Sequence, residues 1–279
     1  MIRDTQIQRA LSAAVRALAE AQLPDGSFAL AETASRPPAT PSDHLFSTAI
    51  VLGLVAAQLD AEVVARAVAY LAGRREANGL WAWMPDGSLP PDADDTACCL
   101  MAFLAAGVAV DRAASIALLR RFWRFRGPFR TWAARGMWGS RERDDPIVNC
   151  NVLRALEELG AAVRPRERSA VTRIVAQARG ETRYYCSGAS VAWAAASAGI
   201  PAPHLLPPAE TELAGRPLEC ALWSLAGRLP SAASLLVPLQ EADGGWHAEP
   251  WLQDHVGTWE SRAVTTAFAA AALSRIAPA

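Results

Sequence analysis

Two kinds of helical pattern alternate along the 279 residues of the chain. One kind carries many Arg and Glu side chains beside an apolar stripe, and the other is apolar on almost every side. Amphipathic helices cover a core, whereas helices that are apolar all round lie inside it. The alternation therefore predicts six helical hairpins, each with an outer charged helix and an inner apolar helix. The predicted outer helices are 4–22, 60–76, 111–125, 165–178, 207–214 and 231–241, and the predicted inner helices are 43–58, 92–107, 146–160, 185–199, 216–228 and 259–276.

Turns in which Gly precedes an aromatic residue punctuate this alternation. They lie at 22–28, 79–81, 127–129 and 240–246, and the first three glycines are 53 and 48 residues apart (79 minus 26 and 127 minus 79). A self-similar unit of that length is typical of arrays of helical hairpins. Period-two alternation, which marks a half-buried strand, is absent. The sequence therefore predicts one all-α domain over residues 1–279, a closed (α/α)6 toroid of six hairpins.

Composition narrows the classes of partner and compartment. The net charge of -1 and the pI near 6.4 give no electrostatic footprint for nucleic acid. No apolar run reaches the roughly 18 residues of a transmembrane helix, and neither terminus resembles a secretory signal. The five cysteines, an odd number without paired spacing, indicate reduced thiols. We therefore expect a cytoplasmic protein that is soluble or, at most, peripheral to a membrane.

Three carboxylates crowd into one turn at residues 92–97, Asp-Ala-Asp-Asp-Thr-Ala, just before an apolar helix. Like charges this close favour keeping at least one group protonated, and a protonated carboxyl facing an apolar cavity is a strong Brønsted acid. Helix capping is the alternative, with Asp92 as N-cap and Asp95 as its capping-box partner in the field of the helix dipole. Capping alone does not call for Asp94.

The acidic turn at 92–97, together with Gln-x3-Gly-Gly-Trp at 240–246 and a degenerate copy at 22–28, resembles the class II terpene cyclases, the group that includes squalene-hopene cyclase. In that family the Gln/Trp motifs tie successive hairpins together; in the copy near 79–81, Arg75 replaces the Gln. The resemblance implies that Asp94 is a general acid that protonates an alkene or epoxide and starts a cascade of carbocations. It also implies that Asp92 and Asp95 hold and polarise that acid. The implied substrate is a linear isoprenoid, an isoprenoid diphosphate or a meroterpenoid.

Protonating an unactivated alkene requires a water-poor cavity, and the carbocations that follow are stabilised by aromatic faces. Of Asn149 and Asn151, which point to different faces of their helix, one is expected to reach the cavity, and Asn149 is the candidate. Arg262 is either part of a surface cluster with Glu260 or an anchor for a diphosphate. The candidate aromatic residues, on or at the ends of inner helices, are Phe46, Phe103, Tyr184, Tyr185, Trp193, Trp223, Trp259 and Phe268.

A metal site is not expected. The protein prenyltransferase β-subunits share the toroid and bind zinc through Asp, Cys and His, but the corresponding region, 218–223 with His255, lacks the Asp-x-Cys spacing. Zinc needs about four converging ligands, whereas adjacent residues of a helix such as Glu219 and Cys220 point about 100° apart. Mg²⁺ is expected as a cofactor only if the substrate is a diphosphate. His44 and His255 are either partners that orient the acid or solvated loop residues.

Three functions stay open at the level of sequence. The first is a protonation-initiated cyclase; the second is a non-catalytic toroid that binds an apolar ligand or a partner protein; the third is a carboxylate-dependent glycosidase on an α/α barrel. The family usually builds its pocket between two helical domains, so this single toroid implies a short substrate, a partner subunit that completes the site, or altered chemistry. Carboxylates facing a closed apolar cavity favour the cyclase, and a barrel filled by side chains favours the binding toroid.

Overall fold

The computed structural model describes residues 2–32, 44–84, 87–125, 127–133, 144–180, 182–253 and 257–277. Twelve α-helices hold more than half of these described residues. The outer helices are α1 (Asp4–Ala21), α3 (Ala61–Gly73), α5 (Arg112–Arg120), α7 (Pro165–Gln177), α9 (Glu210–Leu213) and α11 (Ala232–Leu239). The inner helices are α2 (Leu45–Val55), α4 (Ala93–Ala105), α6 (Pro146–Glu158), α8 (Gly188–Ser197), α10 (Pro217–Leu225) and α12 (Arg262–Ile276).

The inner helices form a closed ring. Each packs against the next, from α2 through α4, α6, α8 and α10 to α12, and α12 packs back against α2. Their side chains are buried almost all round, whereas α1 buries only one stripe, formed by Ile7, Ala10, Ala14, Ala17 and Leu18. The (α/α)6 toroid is therefore confirmed. None of the described helices combines the length and apolarity needed to cross a bilayer.

Two glutamines tie neighbouring outer helices together. Gln22 Nε2 donates to the carbonyl of its own turn and to the Val63 carbonyl at the start of α3, both at 2.9 Å. Gln240 Nε2 donates to the Gly244 and Ala10 carbonyls, both at 2.8 Å. Because Ala10 lies in α1, the second bond joins the last outer helix to the first and closes the outer layer.

The turn after α3 shows how Arg replaces Gln. Arg75 Nε donates to the Gly79 carbonyl at 3.1 Å, and its guanidinium lies 5.0 Å from the centroid of the Trp81 ring. The substitution therefore keeps the bond within the turn. Glycine is required where a turn touches the next outer helix: Gly244 has φ +95°, and a Cβ there would stand 2.5 Å from the Ala13 carbonyl oxygen.

The aromatic residue of each turn is fixed to the following inner helix by one recurring hydrogen bond. Its backbone N–H donates to a side-chain oxygen in the first turns of that helix. Three of these four side chains also donate a hydrogen bond to the carbonyl of the residue four positions earlier. The pairs are Phe28 with Thr48, Trp81 with Thr96, Phe129 with Asn149 and Trp246 with Thr266, at 2.8 to 3.3 Å.

A small antiparallel sheet lies outside the predicted all-helical pattern. It consists of β1 (Ala31–Glu32), β2 (Pro250–Gln253) and β3 (Thr258–Glu260), in the order β1-β3-β2. The predicted helix over 259–276 is therefore wrong at its start, because Trp259 and Glu260 belong to β3 and α12 begins at Arg262. Strands of two to four residues are too short to display an alternating pattern, and β1 pairs with a strand more than 200 residues later.

Replacing Gln240 by Ala is expected to lower the free energy of unfolding by about 1–3 kcal/mol, because two partly buried carbonyls lose their donor. Urea denaturation measures the effect. The control is Gln58→Ala, which removes an exposed 3.2 Å bond to Ser274 and should change stability by less than about 0.5 kcal/mol. Equal stability of the two variants would contradict the proposed role of Gln240 in closing the ring.

Candidate active site

The start of α4 is held on both sides. Asp92 Oδ1 accepts from the Asp95 N–H at 2.7 Å, so Asp92 is an N-cap, as the capping interpretation expects. Its backbone pairs with Trp132, and the Ala93 N–H donates to the Thr131 carbonyl at 2.8 Å. The three carboxylates of this turn are nonetheless buried: Asp92, Asp94 and Asp95 are only 5%, 8% and 1% exposed.

Asp94 is held by two neutral donors from other elements. The Tyr185 hydroxyl donates to its Oδ2 at 2.6 Å, and Asn151 Nδ2 donates to its Oδ1 at 2.8 Å. Asn151 belongs to α6, and Tyr185 lies just before α8. No cation of the described residues is among the groups that set the pKa of Asp94. The carboxyl is therefore oriented without an ion pair.

Burial raises the pKa of Asp94 from 3.8 to about 7, and the charge of Asp92 adds to the increase. The hydrogen bonds from Tyr185 and Asn151 oppose it, because they stabilise the carboxylate. Burial also raises the pKa of Asp92 to about 6 and that of Asp145 above its ordinary value. The pKa of the Tyr185 phenol lies well above its ordinary value, so that group stays a neutral donor. A large fraction of Asp94 is consequently protonated at neutral pH.

A cavity of about 150 Å³ opens beside the acidic turn. Six of the fifteen residues around it are aromatic: the Phe46 and Trp83 ring centroids lie 6.0 Å apart, and those of Trp83 and Trp259 lie 6.1 Å apart. Asp94 forms part of the wall. The residues around the cavity are Phe46, Trp83, Leu89, Asp92, Asp94, Asp95, Thr131, Trp132, Val148, Arg183, Tyr184, Tyr185, Leu252, Gln253 and Trp259.

The structure places only some of the predicted aromatic residues at this cavity. Phe46, Tyr184, Tyr185 and Trp259 line it. The other four are packed in the core away from it, which corrects the expectation. Phe103 packs edge-on against Trp81 at 5.7 Å, Trp193 packs against Phe268 at 4.8 Å, and Trp223 is buried in α10.

Asn149 is a structural residue, contrary to its proposed place in the cavity. Its side chain bonds both backbone groups of Phe129, at 2.8 and 3.1 Å, and the Asp145 carbonyl at 2.9 Å. Asn151, its alternative, contacts Asp94 instead. A signal in the sequence separates the two, because Asn149 follows its turn aromatic by 20 residues, as Thr48 and Thr266 follow theirs.

Arg262 does not anchor a ligand in this cavity. Its guanidinium is paired with Glu241 at 2.5 Å and with Asp243 at 2.6 Å. Arg262 is therefore part of a surface cluster, as one alternative expected, but its partners are these two carboxylates and not Glu260. Arg183 lines the cavity instead, and the sequence analysis did not single it out. Seven more lining residues were missed, and of these only Val148 lies on an inner helix: Trp83, Leu89, Thr131, Trp132, Val148, Leu252 and Gln253.

The remaining candidates have other roles or lie outside the described residues. His44 Nδ1 accepts from the Leu30 N–H at 3.1 Å, so it serves the backbone and does not orient Asp94. His255 lies outside the described residues. Glu219 is paired with Arg216 at 3.3 Å. Within the part of the chain that the structure describes, no group of three His, Cys, Asp or Glu side chains is arranged to hold a metal.

Comparison with solved structures, but not with sequences, finds proteins of the same architecture. No protein-family model and no curated protein matches the sequence. The structure resembles that of ligand-free type II terpene cyclase MstE from Scytonema, with a TM-score of 0.74, 19% identity and 99% of both chains covered. It also resembles a protein from Actinoplanes, with a TM-score of 0.77, 18% identity and coverage of 98% of this chain and 100% of that one.

A third similar structure is ent-copalyl diphosphate synthase from Streptomyces platensis. Its TM-score is 0.58 at 20% identity, and the match covers 84% of this chain and 50% of the synthase. A variant of MstE has been solved with geranylgeranyl dihydroxybenzoate, described as its substrate. The chain therefore has the α/α toroid fold of the class II terpene cyclases.

The stability of the protein is expected to fall as the pH rises from about 4 to about 7. Asp94 has a folded pKa of about 7 against an ordinary 3.8, so the unfolded state releases protons first in that window. Asp94→Asn removes this contribution, roughly 1.4 kcal/mol per pKa unit, and should flatten the decline. Urea denaturation at pH 5 and pH 8 measures it. An equally steep decline in the variant would show that Asp94 ionises normally.

Proposed function

We propose that this protein is a class II terpene cyclase that cyclises a linear isoprenoid, free or attached to a head group, with Asp94 as the general acid. One observation carries the proposal: a buried carboxyl with a pKa of about 7 lies in the wall of an aromatic cavity. Helix capping does not account for this carboxyl, because the cap is Asp92. A barrel filled by side chains would favour the binding toroid. At the end of the ring that carries the acidic turn, a cavity is present instead.

The proposed reaction begins when the Asp94 carboxyl transfers its proton to the terminal alkene of the substrate. The π electrons of that alkene form the new C–H bond, and the adjacent carbon becomes a tertiary carbocation. The next alkene donates its π electrons to that carbon, which forms a C–C bond and moves the positive charge along the chain. The last cation loses a proton to water, which restores an alkene, and Asp94 regains a proton from water after the product leaves. The net reaction is an isomerisation, without oxidant or reductant.

Tyr185 and Asn151 act as positioning residues in this proposal. Each bonds a different oxygen of Asp94; because Cys98 Sγ also contacts Oδ1, at 4.0 Å, Oδ2 is the oxygen that keeps a second lone pair for the transferable proton. Their hydrogen bonds strengthen when Asp94 becomes a carboxylate, so they favour the product of proton transfer. Neutral donors are suitable here because a cation would stabilise the carboxylate before the substrate arrives and leave the acid unprotonated at neutral pH.

The aromatic wall supplies the stabilisation of the carbocations. The rings of Phe46, Trp83 and Trp259 follow one another along the cavity, and the Trp132 and Tyr184 rings meet 6.3 Å apart. A cation over the face of such a ring is stabilised by about 0.5–2 kcal/mol. The ring forms no covalent bond with the cation, whereas a nucleophile would. Beside the acid, Phe46 and Tyr185 are buried, which limits the access of water that would end the cascade early.

The extent of the chain supports a cyclase built from one toroid. MstE, named as a type II terpene cyclase, is covered over 99% of its chain by this one. A partner subunit is therefore not part of the proposal. Protonation by Asp94 needs no metal, and the proposal assigns none; Mg²⁺ would serve only to bind a diphosphate, if the substrate had one.

Asp94→Asn is expected to fold and to lose at least about 100-fold in turnover of a linear isoprenoid, because the amide keeps the shape of the turn but has no acidic proton. Products are followed by mass spectrometry as isomers of farnesyl and geranylgeranyl substrates with carboxylate, benzoate and diphosphate heads. The matched control is Asp111→Asn, which alters the exposed N-cap of α5 and should retain activity. Equal activity of Asp94→Asn and wild type would refute the assignment. A folded wild type that binds these substrates without product would favour the binding toroid.

Tyr185→Phe is expected to raise the pKa of Asp94 further, because the removed hydrogen bond stabilises the carboxylate. The alkaline limb of the pH–rate profile should shift upward, and kcat should fall about 10-fold because the acid is weaker. Tyr184→Phe is the control, since Tyr184 lines the cavity but forms no hydrogen bond with Asp94 in the structure. A lower kcat with an unmoved profile would indicate a packing role for Tyr185 instead.

A further inference from the structure

The carboxylate of Asp145 bonds two separate parts of the site. On one side it caps α6, where its Oδ1 accepts from the Ile147 and Val148 N–H groups at 2.9 and 3.2 Å. On the other side its Oδ2 accepts from the backbone N–H of Arg183 at 3.2 Å. Arg183 belongs to the segment 182–187, which lies between α7 and α8. One side chain therefore joins the first turn of α6 to a segment 38 residues later.

The two parts that Asp145 joins are the ones that hold the Asp94 carboxyl. Asn151 lies in the second turn of α6 and bonds Oδ1 of Asp94. Tyr185 follows Arg183 by two residues and bonds Oδ2. The acid itself belongs to α4, so neither donor is placed by the helix that carries the acid. The distance between the donors therefore depends on how α6 and the segment are joined.

Strand β2 holds the same segment from another direction. Gln253 Nε2 donates to the Thr182 and Tyr185 carbonyls at 3.0 and 3.2 Å, and the Gln253 N–H donates to the Tyr184 carbonyl at 3.0 Å. Because β2 belongs to the small sheet, these bonds fix the segment relative to the sheet. They do not join it to α6, and that connection is what Asp145 adds.

Helix capping alone does not account for an aspartate at this position. Asp145 is 2% exposed, and burial raises its pKa above the ordinary value, so its charge is costly here. Ser187, the N-cap of α8, shows that a short neutral side chain is sufficient for a cap. Asp111, the N-cap of α5, is exposed and accepts from the Ala114 N–H at 3.0 Å in its own helix. The second oxygen of Asp145 serves the bond to the segment 182–187 instead.

We infer that Asp145 is a further positioning residue, which keeps Tyr185 and Asn151 at the spacing that lets both of them bond Asp94. This inference rests on the proposed cyclase function, in which these two donors orient the acid. Asp145 acts through the backbone of the elements that carry the donors. A small change at its carboxylate therefore moves a donor relative to the acid without touching the cavity wall.

Three possible roles of Asp145 predict three different responses of Asp94 when Asp145 is replaced by a neutral side chain. A cap that is kept leaves the pKa of Asp94 unchanged. A purely electrostatic role predicts a lower pKa, because the charge of Asp145 raises it. A positioning role predicts a higher pKa, because the Tyr185 hydrogen bond lowers it and is weakened. The effect of the Tyr185 bond exceeds that of the Asp145 charge, so the positioning role predicts a net increase.

Asp145→Ser tests the inference, because serine can cap α6 but has no second oxygen for the Arg183 N–H. The pKa of Asp94 is followed without substrate by infrared spectroscopy of its protonated carboxyl, with Asp94→Asn to assign the band. We expect this pKa to rise. In the enzyme assay kcat should fall about 10-fold, and the alkaline limb of the pH–rate profile should shift upward. The matched control, Asp111→Ser, should change neither the pKa nor kcat.

A double variant tests whether Asp145 acts through Tyr185. Added to Tyr185→Phe, Asp145→Ser should lower kcat by less than about a further 2-fold, because two changes that remove the same interaction are not additive. Independent effects would multiply instead. Measuring kcat for the two single variants and the double variant completes the cycle.

An unchanged or lower pKa of Asp94 in Asp145→Ser would overturn the inference, and so would multiplying losses in the double variant. If Asp145→Ser does not fold, Asp145→Asn replaces it. The amide keeps the shape of the side chain but has one acceptor oxygen, so it serves one of the two sets of N–H groups and should raise the same pKa.

The infrared measurement needs no turnover, so it separates this inference from the proposed function. A raised pKa of Asp94 in Asp145→Ser, with no cyclic product from the wild type, would refute the cyclase and leave the role of Asp145 intact. A wild type that cyclises its substrate, with an unchanged pKa in the variant, would refute the role of Asp145 alone.

Discussion

The hydrogen bonds of Tyr185 and Asn151 to the buried Asp94 carboxyl are the interaction on which the site depends. A carboxyl with little exposure costs free energy when ionised, and it is tolerated when neutral groups satisfy its oxygens. Those donors come from the segment before α8 and from α6, while the acid comes from α4. Three successive repeats must therefore hold fixed positions around the ring. The closed architecture thus holds the site together by fixing the distance between elements that no single hairpin could fix alone.

The repeats share one hydrogen bond between the turn and the next inner helix, and they differ in the polar side chains beside it. In four of them the aromatic residue of the turn is bound by a Thr or Asn of the next inner helix. Thr96 of the acidic turn is one of these clamps, which explains why Thr follows the carboxylates. Asp94 and Asn151 take no part in this clamp and bond each other instead. The molecule therefore places the polar groups of the site beside a conventional first turn of the helix rather than in a special loop.

The helical hairpins were predictable because their pattern is local and repeated, and a position of Asp94 at a cavity was predictable because capping did not account for this carboxyl. Asn149 was assigned wrongly from its neighbourhood alone, although the 20-residue interval to Phe129 marks it as a clamp. Arg183 and the strand residues gave no local signal. Their position depends on pairing between distant segments, such as β1 with β3, and on bonds such as that from Gln253 to Thr182. Contacts of that range have no periodicity along the chain.

The seam between the chain ends also determines when the cavity can exist. Gln240 bonds Ala10, Ser261 bonds the Ala29 carbonyl at 2.6 Å, and β1 pairs with β3, so each of these contacts closes a loop of more than 220 residues. Such contacts form late, because the loss of chain entropy precedes their stabilisation. During synthesis, Asp94 and its aromatic neighbours from the first half of the chain emerge long before Trp259 completes the wall. An apolar surface that carries the Asp94 carboxyl is then exposed on the nascent chain, so the cavity is completed only at the final closure of the fold.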